Sequence, residues 1–174
     1  VQRLIGAPAY EESALIPLVS FPPSGDPVVR HWRLPVETAG PRAPGEPVNL
    51  PGAERCFASL LPLAAQLSRR FSAGINLQLF YATESEGLAP HTDLNDSFII
   101  QIAGRKRWWV VDVPAEGVPA HGNAGATLPA DARVHDLAPG DVLYKPSQAV
   151  HATETLTGPS LSLTASIETR TARD

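Results

Sequence analysis

The 174-residue chain is almost without sulfur. Cys56 is the single cysteine, and methionine is absent even at position 1. One thiol excludes an intrachain disulfide and a thiolate zinc cluster, and it favours a reducing, cytoplasmic location. The missing methionine indicates a processed chain or a fragment.

A strong charge and long apolar runs are also missing. The net charge is −4 and 18% of the residues are charged, which leaves no field that would attract nucleic acid or an anionic membrane. Apolar runs fall far short of the roughly 20 residues that cross a bilayer. Acidic residues interrupt the apolar part of the N-terminus, unlike a signal peptide. We therefore expect no nucleic-acid and no membrane partner.

Proline and glycine are abundant, with 18 and 13 residues. Such numbers favour a loop-rich β protein over a helical bundle. Residues 1–52 are predicted to be a proline-rich extension with short strands that pack on the rest. Residues 53–71 have apolar positions at helical spacing, and Pro62 should kink or divide that helix.

Beyond residue 74 the apolar pattern changes to a period of two, which is typical of β-strands. Strands are predicted at 75–83, 97–103, 106–113, 133–137, 141–146, 148–154 and 160–167. The tight connection Ala103-Gly104-Arg105 predicts a hairpin between the second and the third of these. Many short strands separated by turn signals favour a single, mainly β domain with a closed or double-sheet architecture.

His91 and Asp93 stand two residues apart, next to a predicted strand. In an extended segment, residues i and i+2 point to the same side, so the two side chains should project together. One imidazole and one carboxylate can fill two positions of a metal. His151 is the best candidate for a third ligand. Two histidines and a carboxylate form the facial triad of non-haem Fe(II) oxygenases, although zinc can use the same ligands.

Lys106 raises a separate question because the strand pattern places it on the same face as Trp108 and Val110. A lysine on an apolar face is costly to bury without an anion, and a dicarboxylate would supply one. The alternative is a solvated position at a hairpin end, beside Arg105 and Arg107. The strand pattern alone leaves both readings open.

Three motifs resemble one known family. The segment HTDLNDSFIIQIAGRKRW is similar to the signature HxDxxDxFxxQxxGxKxW of the JmjC-type cupins of the ribosomal oxygenase group. The matching residues are His91, Asp93, Asp96, Phe98, Gln101, Gly104, Lys106 and Trp108. LAPGDVLYKPSQAVHATET resembles the second signature, a PGD-x-LY-x-P turn followed by a histidine, and SLSLT resembles the strand after it.

The resemblance implies a mainly β fold, a double-stranded β-helix of the cupin or jelly-roll type. A short helical and irregular region would precede it, and the cupin-like unit with its leading helix would span 53–174. It also implies Fe(II) bound by His91, Asp93 and His151, with O₂ and the cosubstrate 2-oxoglutarate.

For the cosubstrate, the resemblance implies a contact between Lys106 and the far carboxylate of 2-oxoglutarate. Thr164 aligns with a hydroxyl that helps to hold the same carboxylate. Asn76 and Gln78 lie near a family Asn-x-Tyr pair, but the spacing to His91 is one residue longer and Gln78 replaces the tyrosine.

The implied activity is that of a 2-oxoglutarate-dependent dioxygenase that hydroxylates an unactivated C–H bond. An amino acid, a peptide or a natural product is the expected substrate, and a residue of a ribosomal-type protein is the alternative. The chemistry belongs to the metal and cosubstrate, so no catalytic residue beyond the metal centre is expected. A non-oxygenase metal-dependent cupin, a non-catalytic binding cupin and a homodimer stay open.

Overall fold

A computed structural model describes residues 15–20, 28–33, 47–114 and 127–168. Strands make up most of these residues, which confirms the mainly β prediction. The greater part of the proline-rich extension, namely 1–14, 21–27 and 34–46, lies outside the described residues.

Nine strands and two helices follow one another along the described chain. The strands are β1 (Leu15–Ser20), β2 (Val28–Arg33), β3 (Val48–Pro51), β4 (Gly74–Ala82), β5 (Gly87–His91), β6 (Asp96–Pro114), β7 (Arg133–Leu137), β8 (Val142–Lys145) and β9 (Ala149–Glu168). The helices are α1 (Ala53–Cys56) and α2 (Leu61–Phe71), with a 3₁₀ turn at Ala58–Leu60 between them.

The predicted helix over 53–71 is divided, but the division falls at Phe57 rather than at Pro62. Phe57 has an extended backbone, with φ −128° and ψ 100°, and this separates α1 from the 3₁₀ turn. Pro62 lies in the first turn of α2, where a missing N–H breaks no hydrogen bond. α2 ends at Ser72, whose φ of 52° is left-handed, and β4 begins two residues later.

Two long strands, β6 and β9, are shared by two groups of strands. The first half of β6 pairs with β8 and its second half with β7. The first half of β9 pairs with β5 and its second half with β4. Since β6 and β9 also pair with each other along their length, two four-stranded sheets result, β4-β9-β6-β8 and β5-β9-β6-β7. This is the predicted double-stranded β-helix. β3 pairs with β4 and β1 with β3, so the extension continues the first sheet.

The predicted hairpin at Ala103-Gly104-Arg105 is wrong. The chain does not reverse there, because β6 runs on from Asp96 to Pro114 while it stays paired with β9. Gly104 has a φ of +66°, and the register shifts around it. The glycine therefore makes a bulge that bends one long strand from the first sheet into the second, rather than a turn.

Alternation along the strands of the first sheet separates two environments. On one face lie Ile75, Leu77 and Leu79 of β4 with Leu163 and Ala165 of β9, packed against apolar residues of α1 and α2. On the other face, alternate positions of β4, β9 and β6 line an internal cavity: Gln78, Phe80, Thr164, Ser166, Ser97 and Ile99. Helix packing on one face thus determines which side chains face the cavity.

α2 has 11 residues, about half of what a bilayer requires. Among the described residues, the helices all lack the length and apolarity to cross a membrane.

Substitution of Gly104 by alanine tests the bulge. A Cβ there would lie 2.5 Å from the Pro159 carbonyl oxygen and 2.7 Å from that of Thr157, on top of the left-handed φ. We expect Gly104→Ala to lower the free energy of unfolding by about 3 kcal/mol or to prevent folding. Gly140→Ala is the matched control, since Gly140 has a φ of +99° but no atom within 4 Å of an added Cβ. It should cost about 1 kcal/mol in urea unfolding. Equal losses would contradict the bulge.

Candidate metal centre and cosubstrate cavity

His91, Asp93 and His151 meet in the wall of the cavity. His91 is the last residue of β5 and lies opposite His151 of β9 in the strand register. Asp93 lies in the loop after β5 rather than on a strand, so the alternation argument does not describe its backbone. The side chains converge nevertheless, since one ligand atom from each of the three lies within 4.8 Å of the other two.

The imidazole rings present the same nitrogen to Asp93. His151 Nε2 lies 3.3 Å from Asp93 Oδ2, and His91 Nε2 lies 3.9 Å from Asp93 Oδ1. Each Nδ1 lies near a backbone carbonyl two residues earlier, at 2.8 Å for His91 and 3.0 Å for His151. Donation from Nδ1–H to these carbonyls directs each Nε2 towards Asp93, where a metal can take the place of a proton on that nitrogen.

Electrostatics keep His91 and Asp93 in the forms that bind metals. Burial, and after it the charge of His151, lowers the pKa of His91 to about 4, so the ring is neutral near pH 7. Burial acts to raise the pKa of Asp93, but the hydrogen bond from His151 and the charges of His151 and Lys145 outweigh it. The pKa of Asp93 therefore stays well below its usual range, and the carboxylate is ionised.

Lys145 belongs to this cluster, although the sequence reading did not select it. Its side chain is buried, and its Nζ lies 3.3 Å from Asp93 Oδ2. The same Nζ donates to the backbone carbonyl of Asn95 at 3.3 Å. A signal was available, because alternation in DVLYKP places Lys145 on the same side as Leu143, which packs on the core.

A cavity of about 480 Å³ extends from the metal ligands between the two sheets. Lys106 lines it, with a side chain only 2% exposed. Trp108 and Val110 are buried as well, so the predicted shared face is confirmed and the solvated alternative is wrong. Arg107 points the other way and makes a bidentate ion pair with Asp136 at 2.6 and 2.7 Å.

Lys106 enters the cavity without a close anionic partner. Within the described part of the chain, its Nζ makes no hydrogen bond and no ion pair. Burial lowers the pKa of Lys106 to about 8, and the charge of Glu86 offsets part of that effect. A buried ammonium with unsatisfied donors favours an anionic ligand.

The other predicted cosubstrate residues are placed differently from one another. Thr164 and Gln78 line the cavity. Gln78 accepts a hydrogen bond from Asn49 at 2.8 Å and donates to Ser166 at 3.2 Å, which makes a polar row across the cavity wall. Asn76 is not among the described residues that line the cavity, and its Oδ1 accepts a hydrogen bond from the Gly52 N–H at 3.2 Å.

Comparison with known proteins agrees with this geometry. The sequence profile of the JmjC domain family matches residues 62–174, more than half of the chain. The chain belongs to the JmjC domain family. The resemblance of its motifs to that family is thereby confirmed.

Proteins that are similar in sequence are named as oxygenases or hydroxylases. The chain is 32% identical over 133 residues to the bifunctional lysine-specific demethylase and histidyl-hydroxylase NO66 of Drosophila sechellia. The aligned region covers 66% of this chain and 20% of that protein. It is 36% identical over 87 residues to ribosomal oxygenase 2 of Rattus norvegicus, and that aligned region covers 49% of this chain and 18% of that protein. The chain thus spans about a fifth of the length of these relatives.

Among solved structures, YcfD of Escherichia coli is similar over most of this JmjC chain. The ribosomal oxygenase YcfD in complex with cobalt and 2-oxoglutarate superposes with a TM-score of 0.63 at 26% identity, and covers 94% of this chain and 42% of that one. Another structure of YcfD gives a TM-score of 0.66 at 24% identity, with 93% and 44% covered. The cupin-type fold of the chain is thus shared with a longer protein.

The depressed pKa of His91 predicts how the metal-free protein responds to acid. The unfolded imidazole takes up a proton near pH 6.5, whereas the folded one does so only near pH 4. Stability should therefore fall as the pH falls through this window, by up to about 3 kcal/mol. Urea unfolding at pH 7, 5 and 4 with a chelator measures it.

Two variants test whether this loss of stability in acid comes from His91. His91→Gln should remove the loss. The same substitution at His135, which lies in β7 outside the cavity lining, should leave the loss in place. An unchanged acid response in His91→Gln would contradict the burial of a neutral imidazole.

Proposed function

We propose that the chain is an Fe(II)- and 2-oxoglutarate-dependent oxygenase that hydroxylates an unactivated C–H bond of an amino-acid, peptide or natural-product substrate. The observation that carries the proposal is one cavity lined by two complementary groups. Two imidazoles and a carboxylate converge in the first group. The second is Lys106, a buried ammonium without a close anion among the described residues.

The residues fit a divalent iron centre. Two neutral imidazole nitrogens and one carboxylate are the facial ligand set of non-haem Fe(II) oxygenases, which leaves other positions open for cosubstrate and O₂. His91, Asp93 and His151 would hold the metal. The backbone carbonyls of Ala89 and Ala149 orient the two rings through Nδ1, which is the usual outer support of metal-bound histidine.

The cavity also fits 2-oxoglutarate. Lys106 would bind the carboxylate far from the metal, and the Thr164 hydroxyl, which lines the same cavity, would add a hydrogen bond. The complex of the similar E. coli YcfD with cobalt and 2-oxoglutarate supports this cosubstrate. Gln78 is already hydrogen-bonded to Asn49 and Ser166, so its amide has fewer free groups for the cosubstrate.

In this function the protein supplies geometry rather than acid–base groups. When bound, iron and 2-oxoglutarate together supply the oxidising chemistry. The imidazoles and Asp93 hold one end of the arrangement, and Lys106 holds the far carboxylate in a fixed direction. Trp108 stacks on the His151 ring at 5.8 Å between centroids and helps to keep water from that side.

The proposal allows more than one class of substrate. The names of relatives, a histidyl-hydroxylase and ribosomal oxygenases, support a protein residue as the alternative to a small molecule or free peptide. The polar row Asn49, Gln78 and Ser166 offers amide and hydroxyl groups to a polar side chain. A homodimer and a cytoplasmic location remain predictions from the sequence.

Uncoupled turnover tests the proposal without knowledge of the substrate. With Fe(II) and air, the protein should form succinate from 2-oxoglutarate. His91→Ala and Asp93→Ala should each reduce the rate more than about 100-fold, because a lost ligand costs more than a lost outer contact. His135→Ala and Asp136→Ala, outside the cavity lining, are the matched controls and should retain activity.

The alternatives give different results in the same assay. A metal-dependent cupin that is not an oxygenase would bind a divalent metal through His91 and form no succinate. A non-catalytic cupin would bind neither metal nor 2-oxoglutarate through these residues. Succinate formation that survives both ligand substitutions would refute the proposed centre.

The pKa of Lys106 predicts how cosubstrate affinity depends on pH. Only the ammonium form attracts the carboxylate, and in the free protein its pKa is about 8. The affinity for 2-oxoglutarate, measured with Co²⁺ in place of iron, should be constant below pH 7. It should weaken about tenfold per pH unit above pH 8. Lys106→Ala should bind weakly at every pH and lose this dependence. If Lys106→Ala kept the same pH dependence of 2-oxoglutarate affinity, that dependence would belong to another group.

A further inference from the structure

A second buried cation lies against the proposed metal ligands. Lys145 is 2% exposed, and its Nζ lies 3.3 Å from Asp93 Oδ2 and 3.3 Å from the carbonyl of Asn95. These two contacts use two of the three N–H donors of an ammonium group. Lys145 also lines the cavity, so its charge acts on whatever binds there. The PGD-x-LY-x-P pattern leaves this position unspecified.

The charges of the cavity wall are unbalanced. Among the described residues that line the cavity, Lys106 and Lys145 are two ammonium groups, and Asp93 is the single carboxylate. A divalent metal adds positive charge to this excess, whereas a dicarboxylate removes it. The cavity wall by itself therefore favours an anion over a cation.

We propose that Lys145 sets the balance between the two ligands of the site: it opposes the divalent metal at Asp93 and favours the anionic cosubstrate. This inference rests on the proposed function. Lys145 and the metal would contact the same carboxylate, so the repulsion acts at short range, from an ammonium group that is itself only 2% exposed. Asp93 then holds a metal less tightly than an unpaired carboxylate would.

A purely orienting role for Lys145 has a different signature. A donor to Asp93 also fixes the carboxylate, and loss of such an outer contact commonly weakens metal binding about 10–100-fold. Orientation and repulsion thus act on metal affinity with opposite signs. Only the charge effect changes metal and dianion affinity in opposite directions, so both affinities must be measured.

The test replaces Lys145 by glutamine, which retains an N–H donor and removes the charge. Calorimetry measures Co²⁺ binding alone and then 2-oxoglutarate binding to the Co²⁺-loaded protein. We expect Lys145→Gln to bind Co²⁺ about tenfold more tightly or better, and 2-oxoglutarate about tenfold more weakly. Lys145→Met, which removes donor and charge, should bind 2-oxoglutarate just as weakly but bind Co²⁺ less tightly than Lys145→Gln does.

Lys106→Gln is the matched control, a second buried lysine of the same cavity that makes no contact with Asp93 in the described structure. It should weaken 2-oxoglutarate binding and change Co²⁺ affinity less than Lys145→Gln does. The Asp93 side chain is 43% exposed, so water can solvate it once the lysine is removed, and the variants should fold. Cooperative urea unfolding of Lys145→Gln confirms that this variant is folded before the titrations.

Two results separate failure of this inference from failure of the proposed function. If the Co²⁺ and 2-oxoglutarate affinities of Lys145→Gln stay unchanged or move in the same direction, Lys145 does not set the balance. If His91→Ala fails to weaken Co²⁺ binding, the metal centre itself is wrongly assigned.

Discussion

The continuous pairing of β6 with β9 is the constraint on which the rest of the molecule depends. Each strand belongs to both sheets, so the position of one determines the spacing of the cavity walls. The bulge at Gly104 lets β6 pass from one sheet to the other without losing its partner. Lys106 follows two residues later and enters the second sheet with its side chain inward. His151 lies on β9 in the same sheet, so the proposed metal and carboxylate sites are parts of one backbone framework.

Charge inside this framework decides which ligands suit it. The imidazole of His91 is kept neutral by burial, and Asp93 is kept ionised by its neighbours. Such a pair suits a divalent metal. The ammonium groups of Lys106 and Lys145 have the opposite preference and attract an anion. A metal and a dicarboxylate bound together satisfy both preferences, which explains why an oxygenase that needs both is the function most consistent with the site.

Local patterns predicted much of this arrangement, because they depend on nearby residues. Alternation places Lys106 on the same face as Trp108, although it left burial and solvation of that face open, and Pro62 marks the first turn of the second helix. The bulge did not follow, since a glycine with positive φ suits a hairpin as well as a bulge, and the choice depends on β9, more than 50 residues away. β5 was missed because GLAPH contains glycine and proline and lacks alternation. Lys145 was missed because its partner, Asp93, is brought near only by the fold.

A crystal structure with Co²⁺ and 2-oxoglutarate tests the central claim most directly, because it locates both ligands at once. We expect the metal at about 2.1 Å from His91 Nε2, His151 Nε2 and one oxygen of Asp93. The far carboxylate should contact Lys106 Nζ within hydrogen-bonding distance. A metal bound by other residues, or a dicarboxylate that leaves Lys106 without an anion, would contradict the account.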